Sequence, residues 1–136
     1  MILHASCVAI ENSAVLMIGP SGSGKSAMAL QLMALGAVLV SDDKTHVKLR
    51  DQNIIATAPT TIKGLIEARH VGILTADTCD VAVVRLIVDL EQVEQDRLPP
   101  HRTHNLLGQT LPVLHNVKAA YFAAAILQHL KGGRSA

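Results

Sequence analysis

Aromatic residues are scarce in this sequence, which has one Tyr, one Phe and no Trp among its 136 residues. Proteins that bind RNA or single-stranded DNA by base stacking rely on exposed aromatic side chains, so this class is disfavoured. A net charge of +1 also provides no basic field for a nucleic-acid backbone. We therefore expect no nucleic-acid partner, and a hydrophobic core built from Ala, Val, Leu and Ile.

Cysteine is also scarce, and long apolar runs and a basic leader are lacking. Cys7 and Cys79 lie far apart and outside any Cys-x-x-Cys motif, so no zinc site is predicted. The longest apolar run, residues 119–127, is about half as long as a transmembrane helix. The N-terminus has no basic segment followed by an apolar core, as a signal peptide would. The sequence thus predicts a cytoplasmic protein without a membrane partner.

What is present is a pattern of short segments that predicts one α/β domain spanning residues 1–136. Strands are expected where short runs are apolar or alternate with polar residues: 6–10, 14–18, 37–40, 45–49, 54–57, 81–90 and 111–114. Helices are expected at 27–35, at 60–67, and at 117–130 with Asn116 as the cap. Segments 6–10 and 14–18, and segments 45–49 and 54–57, are each expected to form a hairpin. The segment 81–90 is apolar on both faces apart from Arg85, which predicts a central, buried strand. The charged stretch 91–105 is predicted to be a loop. This order indicates a mixed sheet with few helices.

Between the second predicted strand and the first predicted helix lies GPSGSGKS, which matches the phosphate-binding motif G-x-x-x-x-G-K-[ST]. We call this segment the phosphate loop, and its predicted nucleotide-binding residues are Gly19, Pro20, Ser21, Gly22, Ser23, Gly24, Lys25 and Ser26. Its glycines permit backbone angles that let successive N–H groups point at an anion. Lys25 is expected to reach the β- and γ-phosphates, and the Ser26 hydroxyl to bind Mg²⁺. The alternative is a Gly- and Ser-rich turn that only caps the helix.

Two adjacent acidic residues, Asp42 and Asp43, follow the predicted strand 37–40. We expect this strand to lie beside the phosphate loop, with its carboxyl end facing the nucleotide. One carboxylate can hold Mg²⁺, directly or through water, and the other can deprotonate an attacking hydroxyl or water. Alternatively, Asp42 caps a turn and Asp43 is solvated. Asp89 competes for the metal role, but we interpret it as a solvated strand end.

Several segments together resemble the catalytic domain of HPr kinase/phosphorylase. They are the phosphate loop, the LVSDD that follows it, and IKGLIEARHVGIL, in which Glu67, Arg69, Gly72 and Ile73 match a family signature close to LLE-[IV]-RG-[LI]-GI. The opening LHASCVAI, the TAP tripeptide, the LIVDLE strand and QDRLP fit as well, so the resemblance covers nearly the whole chain. It implies a P-loop fold related to phosphoenolpyruvate carboxykinase, here in the short form without the family's N-terminal domain.

The resemblance also implies an activity and a set of site residues. The activity is ATP- and Mg²⁺-dependent phosphorylation of a serine on the phosphocarrier protein HPr, with a second reaction in which inorganic phosphate removes that group and pyrophosphate is released. Asp43 would be the acid/base, and Glu67 would join Ser26 as a metal ligand. His4 and Arg97 would assist at the site. The family is typically hexameric, so a homo-oligomer is expected.

The chain departs from the family pattern in its signature and near its C-terminus. His70 replaces the first Gly of the signature, and Ala68 replaces a branched residue. The family's basic PV-x-x-GRN loop, associated with phosphate-driven dephosphorylation, is not recognisable in LPVLHNVKAA. Two other functions remain open. One is a small-molecule P-loop kinase, although residues 92–105 are too short and Pro-rich to form the Arg-bearing lid that such kinases need; the other is a non-catalytic nucleotide-sensing module, which the altered signature favours.

Overall fold

The computed structural model describes all residues from 1 to 136. The strands are β1 (Ile2–Leu3), β2 (Ala5–Ile10), β3 (Ser13–Ile18), β4 (Val38–Ser41), β5 (Thr45–Arg50), β6 (Asn53–Thr57), β7 (Leu65–Ala68), β8 (Gly72–Thr75), β9 (Ala82–Val93), β10 (Arg102–Leu106) and β11 (Gln109–Asn116). The helices are α1 (Lys25–Ala34) and α2 (Phe122–Gly132). Neither has the length and apolar character needed to cross a membrane. The predicted α/β class is confirmed.

A nine-stranded mixed sheet forms around the central strand β9. Its main path runs β1-β5-β6-β9-β3-β2-β4, and β11 joins β9 while carrying β10 on its outer edge. β9 is parallel to β3 and β11 but antiparallel to β6. The remaining strands, β7 and β8, form a separate hairpin. The prediction of a central, buried strand at 81–90 is therefore correct, although the strand continues to Val93.

Successive residues of the inner strands alternate between two apolar clusters, one packed against both helices and one on the opposite face of the sheet. In β9 this alternation contains a bulge. Val84 and Leu86 pair with the consecutive residues Ala14 and Val15, which leaves Arg85 as the extra residue. Arg85 is exposed. The bulge therefore lets a charged residue lie within an otherwise buried strand.

The strand before the two Asp residues ends beside the phosphate loop, where Asp42 contacts Ser26, but it is not paired with the strand that enters the loop. β2 lies between β4 and β3 and is antiparallel to both. The reason is the tight turn at Glu11 and Asn12, both with positive φ, which folds β2 directly back onto β3. β4 and β3 consequently run in the same direction, and their carboxyl ends still meet at one edge of the sheet.

Three predictions of local structure are wrong. Residues 60–67 form turns that lead into β7 rather than a helix, because β-branched residues and Gly64, with φ of +78°, disfavour helical backbone. The predicted loop 91–105 contains the end of β9 and most of β10. The last helix begins at Phe122, since Asn116 is held in β11 by pairing with Val93.

An ion pair connects the end of β9 to β10. Nε and Nη2 of Arg102 donate to the two carboxylate oxygens of Glu94 at 3.2 and 3.0 Å. The hydrogen bonds from Arg102, together with those from the backbone N–H groups of Asp96 and Gln95, lower the pKa of Glu94 from 4.5 to about 2. The ionised form of Glu94 is thus favoured in the folded protein.

This shift predicts a pH-dependent contribution to stability. Because the pKa of Glu94 is lowered on folding, its stabilisation is fully present above about pH 4.5 and is lost as the pH falls through about 2. Urea unfolding of the wild type and Glu94→Gln should therefore give a difference in unfolding free energy that shrinks over this range. Glu91→Gln, which removes an exposed carboxylate without an ion pair, serves as the control. A pH-independent difference for Glu94→Gln would contradict the prediction.

Candidate functional site

The phosphate loop connects the end of β3 to the start of α1, as its motif requires. Gly19 and Gly24 adopt φ of +146° and +98°, which side chains other than glycine rarely allow. Gly24 is also the residue before the first helical turn, and no side chain caps the N–H groups of that turn. These N–H groups and the positive end of the helix dipole are therefore available to an anion.

Two side chains of the phosphate loop support its assignment as an anion site. Lys25 is only 5% exposed, and its Nζ donates to the carbonyl oxygens of Gly19 at 2.8 Å and Pro20 at 3.1 Å, with no carboxylate partner. The hydroxyl of Ser23 is buried and has no hydrogen-bond partner at all. Buried polar groups are normally satisfied, so an unpaired hydroxyl and an ammonium without an acid both fit a bound phosphate.

Asp42 is the centre of the hydrogen-bond network beside this loop. Its Oδ1 accepts from the hydroxyl of Ser26 at 2.6 Å and from that of Ser6 at 2.8 Å. Its Oδ2 accepts from the backbone N–H of Glu67 at 3.1 Å. The residue is 7% exposed and forms no ion pair. Three uncharged donors, one each from α1, β2 and β7, thus hold a buried carboxylate.

Asp43 has very different surroundings from those of its neighbour. Its Oδ1 lies 2.7 Å from Nε2 of His4, the residue between β1 and β2, and the two side chains are 55% and 48% exposed. Its backbone is left-handed, with φ of +67°, and its N–H donates to the hydroxyl of Ser6 at 3.1 Å. Asp tolerates this conformation better than most residues. The consequence is that Asp43 presents its carboxylate to the open surface.

The residues predicted to bind a metal are only partly brought together. The Ser26 hydroxyl and the Asp42 carboxylate are adjacent, and such oxygen ligands suit Mg²⁺, which takes one or two protein ligands and completes its shell with water and phosphate. Glu67 contacts Asp42 through its backbone, while its side chain is exposed. No group of three or more His, Cys, Asp or Glu side chains is arranged as a metal site. Ser26 and Asp42 therefore fit the cation best.

Two other sequence predictions have different outcomes. Arg97 lies in the exposed segment between β9 and β10 and makes no hydrogen bond or ion pair, so the structure does not bring it to the carboxylates. Asp89 is not a strand end, because β9 continues beyond it, and its carboxylate accepts the N–H of Glu91 at 2.9 Å.

Ser6 is a site residue that the sequence predicts only as part of a strand. The signal that points to it is a polar residue in an otherwise apolar strand, two positions after His4.

Comparison with known proteins identifies the family. Residues 1–115 match the family model described as the HPr serine kinase C-terminal domain. This chain belongs to that family. Membership in a kinase family implies the use of a nucleotide, in agreement with the phosphate loop at the centre of the site.

Curated relatives named HPr kinase/phosphorylase are longer than this chain. The protein from Caldicellulosiruptor bescii is 35% identical over 124 residues, an alignment that covers 82% of this chain and 40% of the relative. That from Brevibacillus brevis is 35% identical over 118 residues, covering 82% and 38%. That from Limosilactobacillus reuteri is 43% identical over 77 residues, covering 56% and 24%. The chain thus spans at most 40% of the length of these relatives.

A solved structure confirms the fold. The structure of the Hpr(Ser) kinase/phosphatase from Coxiella burnetii superimposes with a TM-score of 0.80, covering 96% of this chain and 94% of that chain. The sequence identity of the pair is 22%. The predicted P-loop-related fold is therefore correct.

The departure at His70 generates a prediction about stability. His70 lies in the turn between β7 and β8 with φ of +68°, where the family signature has Gly. A side chain in left-handed backbone costs roughly 1–2 kcal/mol, so His70→Gly should raise the unfolding free energy by about 1 kcal/mol in urea denaturation. Arg69→Gly, at the adjacent position without positive φ, should instead be neutral or destabilising. Equal destabilisation by both variants would contradict this explanation.

Proposed function

We propose that this chain is an ATP- and Mg²⁺-dependent kinase that phosphorylates a serine of HPr. One observation carries the proposal: a phosphate loop contacts the first of two adjacent acidic residues whose carboxylates have contrasting surroundings. Asp42 is buried beneath three donors, whereas Asp43 is half-exposed beside His4. Neighbouring carboxyl groups with different environments are typical of sites that divide metal binding and proton transfer between them. The names of the relatives supply HPr as the substrate.

On the nucleotide side, the residues of the phosphate loop would hold the β- and γ-phosphates. The Nζ of Lys25 would exchange the carbonyl oxygens of Gly19 and Pro20 for phosphate oxygens, which bind an ammonium more strongly. The Ser26 hydroxyl donates a hydrogen bond to Asp42, so its lone pairs remain free for the cation. When bound, Mg²⁺ supplies neutralisation of the charge on the β- and γ-phosphates.

On the acceptor side, Asp43 would take the proton of the incoming serine hydroxyl. Its carboxylate is open to solvent, and a protein substrate can therefore approach it. His4 orients the Oδ1 atom, which leaves Oδ2 for the substrate. In the second reaction, an oxygen of inorganic phosphate would attack the phosphorus of phosphoserine, and the bond from that phosphorus to the serine oxygen would break. The protonated carboxyl of Asp43 would give its proton to the departing serine oxygen, and pyrophosphate would be the product. Arg97 would contribute charge stabilisation only if its exposed segment moves towards the phosphates.

The proposal also covers the assembly of the chain and its location in the cell. A homo-oligomer, hexameric by resemblance, would act in the cytoplasm on HPr. The support is family membership together with the open position of Asp43, which suits a macromolecular substrate.

A phosphotransfer assay tests the kinase proposal. Purified chain with Mg-ATP and HPr should produce phosphoserine-HPr, and Asp43→Asn should lower kcat by about 10²- to 10⁴-fold, the usual contribution of a general base. ATP binding should be retained, because Asp43 makes no contact with the phosphate loop. Asp77→Asn, which neutralises an exposed carboxylate without a partner, is the matched control. Absence of labelled HPr at stoichiometric enzyme would refute the proposal, and ATP binding without transfer would favour a nucleotide-sensing module.

A second assay tests the phosphate-dependent dephosphorylation of HPr. Incubation of phosphoserine-HPr with the chain, Mg²⁺ and inorganic phosphate should release one pyrophosphate for each serine restored. Asp43→Asn should slow this release as strongly as it slows phosphorylation, since the same carboxyl transfers the proton in both directions. Phosphorylation of HPr without any release of pyrophosphate in this second assay would restrict the proposal to the kinase reaction.

A further inference from the structure

We infer that Ser6 is a positioning residue that joins the metal side and the proton-transfer side of this site. The inference rests on the proposed function. Ser6 is on β2, is fully buried, and lies beside both acidic residues. Its hydroxyl donates to Oδ1 of Asp42 at 2.8 Å and accepts from the N–H of Asp43 at 3.1 Å. A single hydroxyl thus touches the carboxylate of one residue and the backbone of the next.

The direction of these two hydrogen bonds is determined by chemistry. An ionised carboxylate can only accept and a backbone N–H can only donate, so the one proton of Ser6 must point to Asp42. Oδ1 then receives two donors, Ser6 and Ser26. Removing Ser6 would leave Oδ1 with Ser26 as its one donor, so the side-chain torsion of Asp42 would be held less firmly. The orientation of the Ser26 hydroxyl, and with it the lone pairs offered to the cation, depends on that torsion.

The second bond of Ser6 acts on the backbone of Asp43. This residue is in the left-handed region, and non-glycine residues persist there when surrounding contacts hold them. The end of β4 is also irregular, since Cys7 pairs with Ser41 whereas Val8 pairs with Leu39. Such a bulge redirects the end of a strand. The bond from the Asp43 N–H to Ser6 fixes this redirected end, and the carboxylate of Asp43 is thereby held towards His4.

Thr45, the first residue of β5, provides a matched control. It is also fully buried, and its hydroxyl makes one hydrogen bond, to the carbonyl oxygen of Ala5 at 2.8 Å. It touches neither acidic residue. Thr45→Val and Ser6→Ala both remove a buried hydroxyl from the same region, so both should lower the thermal unfolding temperature. Only Ser6→Ala removes a contact with Asp42 and Asp43.

The experiment compares these variants by Mg²⁺ dependence and by turnover. Ser6→Ala should lower kcat about 10- to 100-fold and raise the Mg²⁺ concentration that half-saturates nucleotide binding by a similar factor, as loss of partners that orient metal ligands typically does. Nucleotide affinity at saturating Mg²⁺ should be unchanged within about 2-fold, because Ser6 does not touch the phosphate loop. Thr45→Val should leave both quantities near wild type, and Ser6→Thr should restore both because it returns the hydroxyl. Equal effects of Ser6→Ala and Thr45→Val would overturn the inference.

Calorimetric titration of nucleotide at several Mg²⁺ concentrations, without HPr, separates this inference from the proposed function. In an Asp42→Asn background, Ser6→Ala should add little to the Mg²⁺ requirement, because it acts through that carboxylate. If the wild type fails to phosphorylate HPr, the proposed function fails. A raised Mg²⁺ requirement in Ser6→Ala would then still support the inference. An unchanged requirement would overturn it, whatever the result with HPr.

Discussion

The rest of the site depends on the hydrogen bonds that hold the buried carboxylate of Asp42. A buried charge is costly unless it is paired or fully hydrogen-bonded, and this one has no cationic partner. Its stability in the fold rests on donors from three separate elements: Ser26 of α1, Ser6 of β2 and the backbone of Glu67 in β7. Because all three must be in place at once, the phosphate loop, the sheet and the β7–β8 hairpin are held in one arrangement.

The contrast between Asp42 and Asp43 arises from the backbone rather than from distant charges. Consecutive residues in an extended strand point to opposite faces, and the left-handed conformation of Asp43 ends that alternation. One side chain consequently enters the space beneath α1, while the other lies at the surface beside His4. Two residues of the same type thus have different surroundings at adjacent positions of the chain. Ser6 of β2, the strand between β3 and β4, contacts both residues.

Local patterns were sufficient to predict much of this fold and part of its site. The two hairpins, the buried strand with Arg85 exposed and the phosphate loop all depend on short-range periodicity and turn residues, which a sequence displays directly. The strand at the end of the predicted helix 60–67 depends on the pairing of β7 with β8, and the late start of α2 depends on the pairing of Asn116 with Val93. The contacts of Ser6 were also beyond prediction, because they require β2 to lie between β3 and β4.

Lys25 and Asp42 present a further constraint that relates the fold to its chemistry. Both are buried and oppositely charged, and both belong to the same site, yet they do not form an ion pair. Lys25 donates to carbonyl oxygens and Asp42 accepts from hydroxyls and an N–H, so each charge is tolerated but not neutralised. A direct pair would leave little attraction for a ligand. A metal–nucleotide complex carries both signs, with anionic phosphates suited to Lys25 and a cation suited to the Ser26–Asp42 side. The separation of these two charges therefore supports the proposal that the site binds a metal–nucleotide complex.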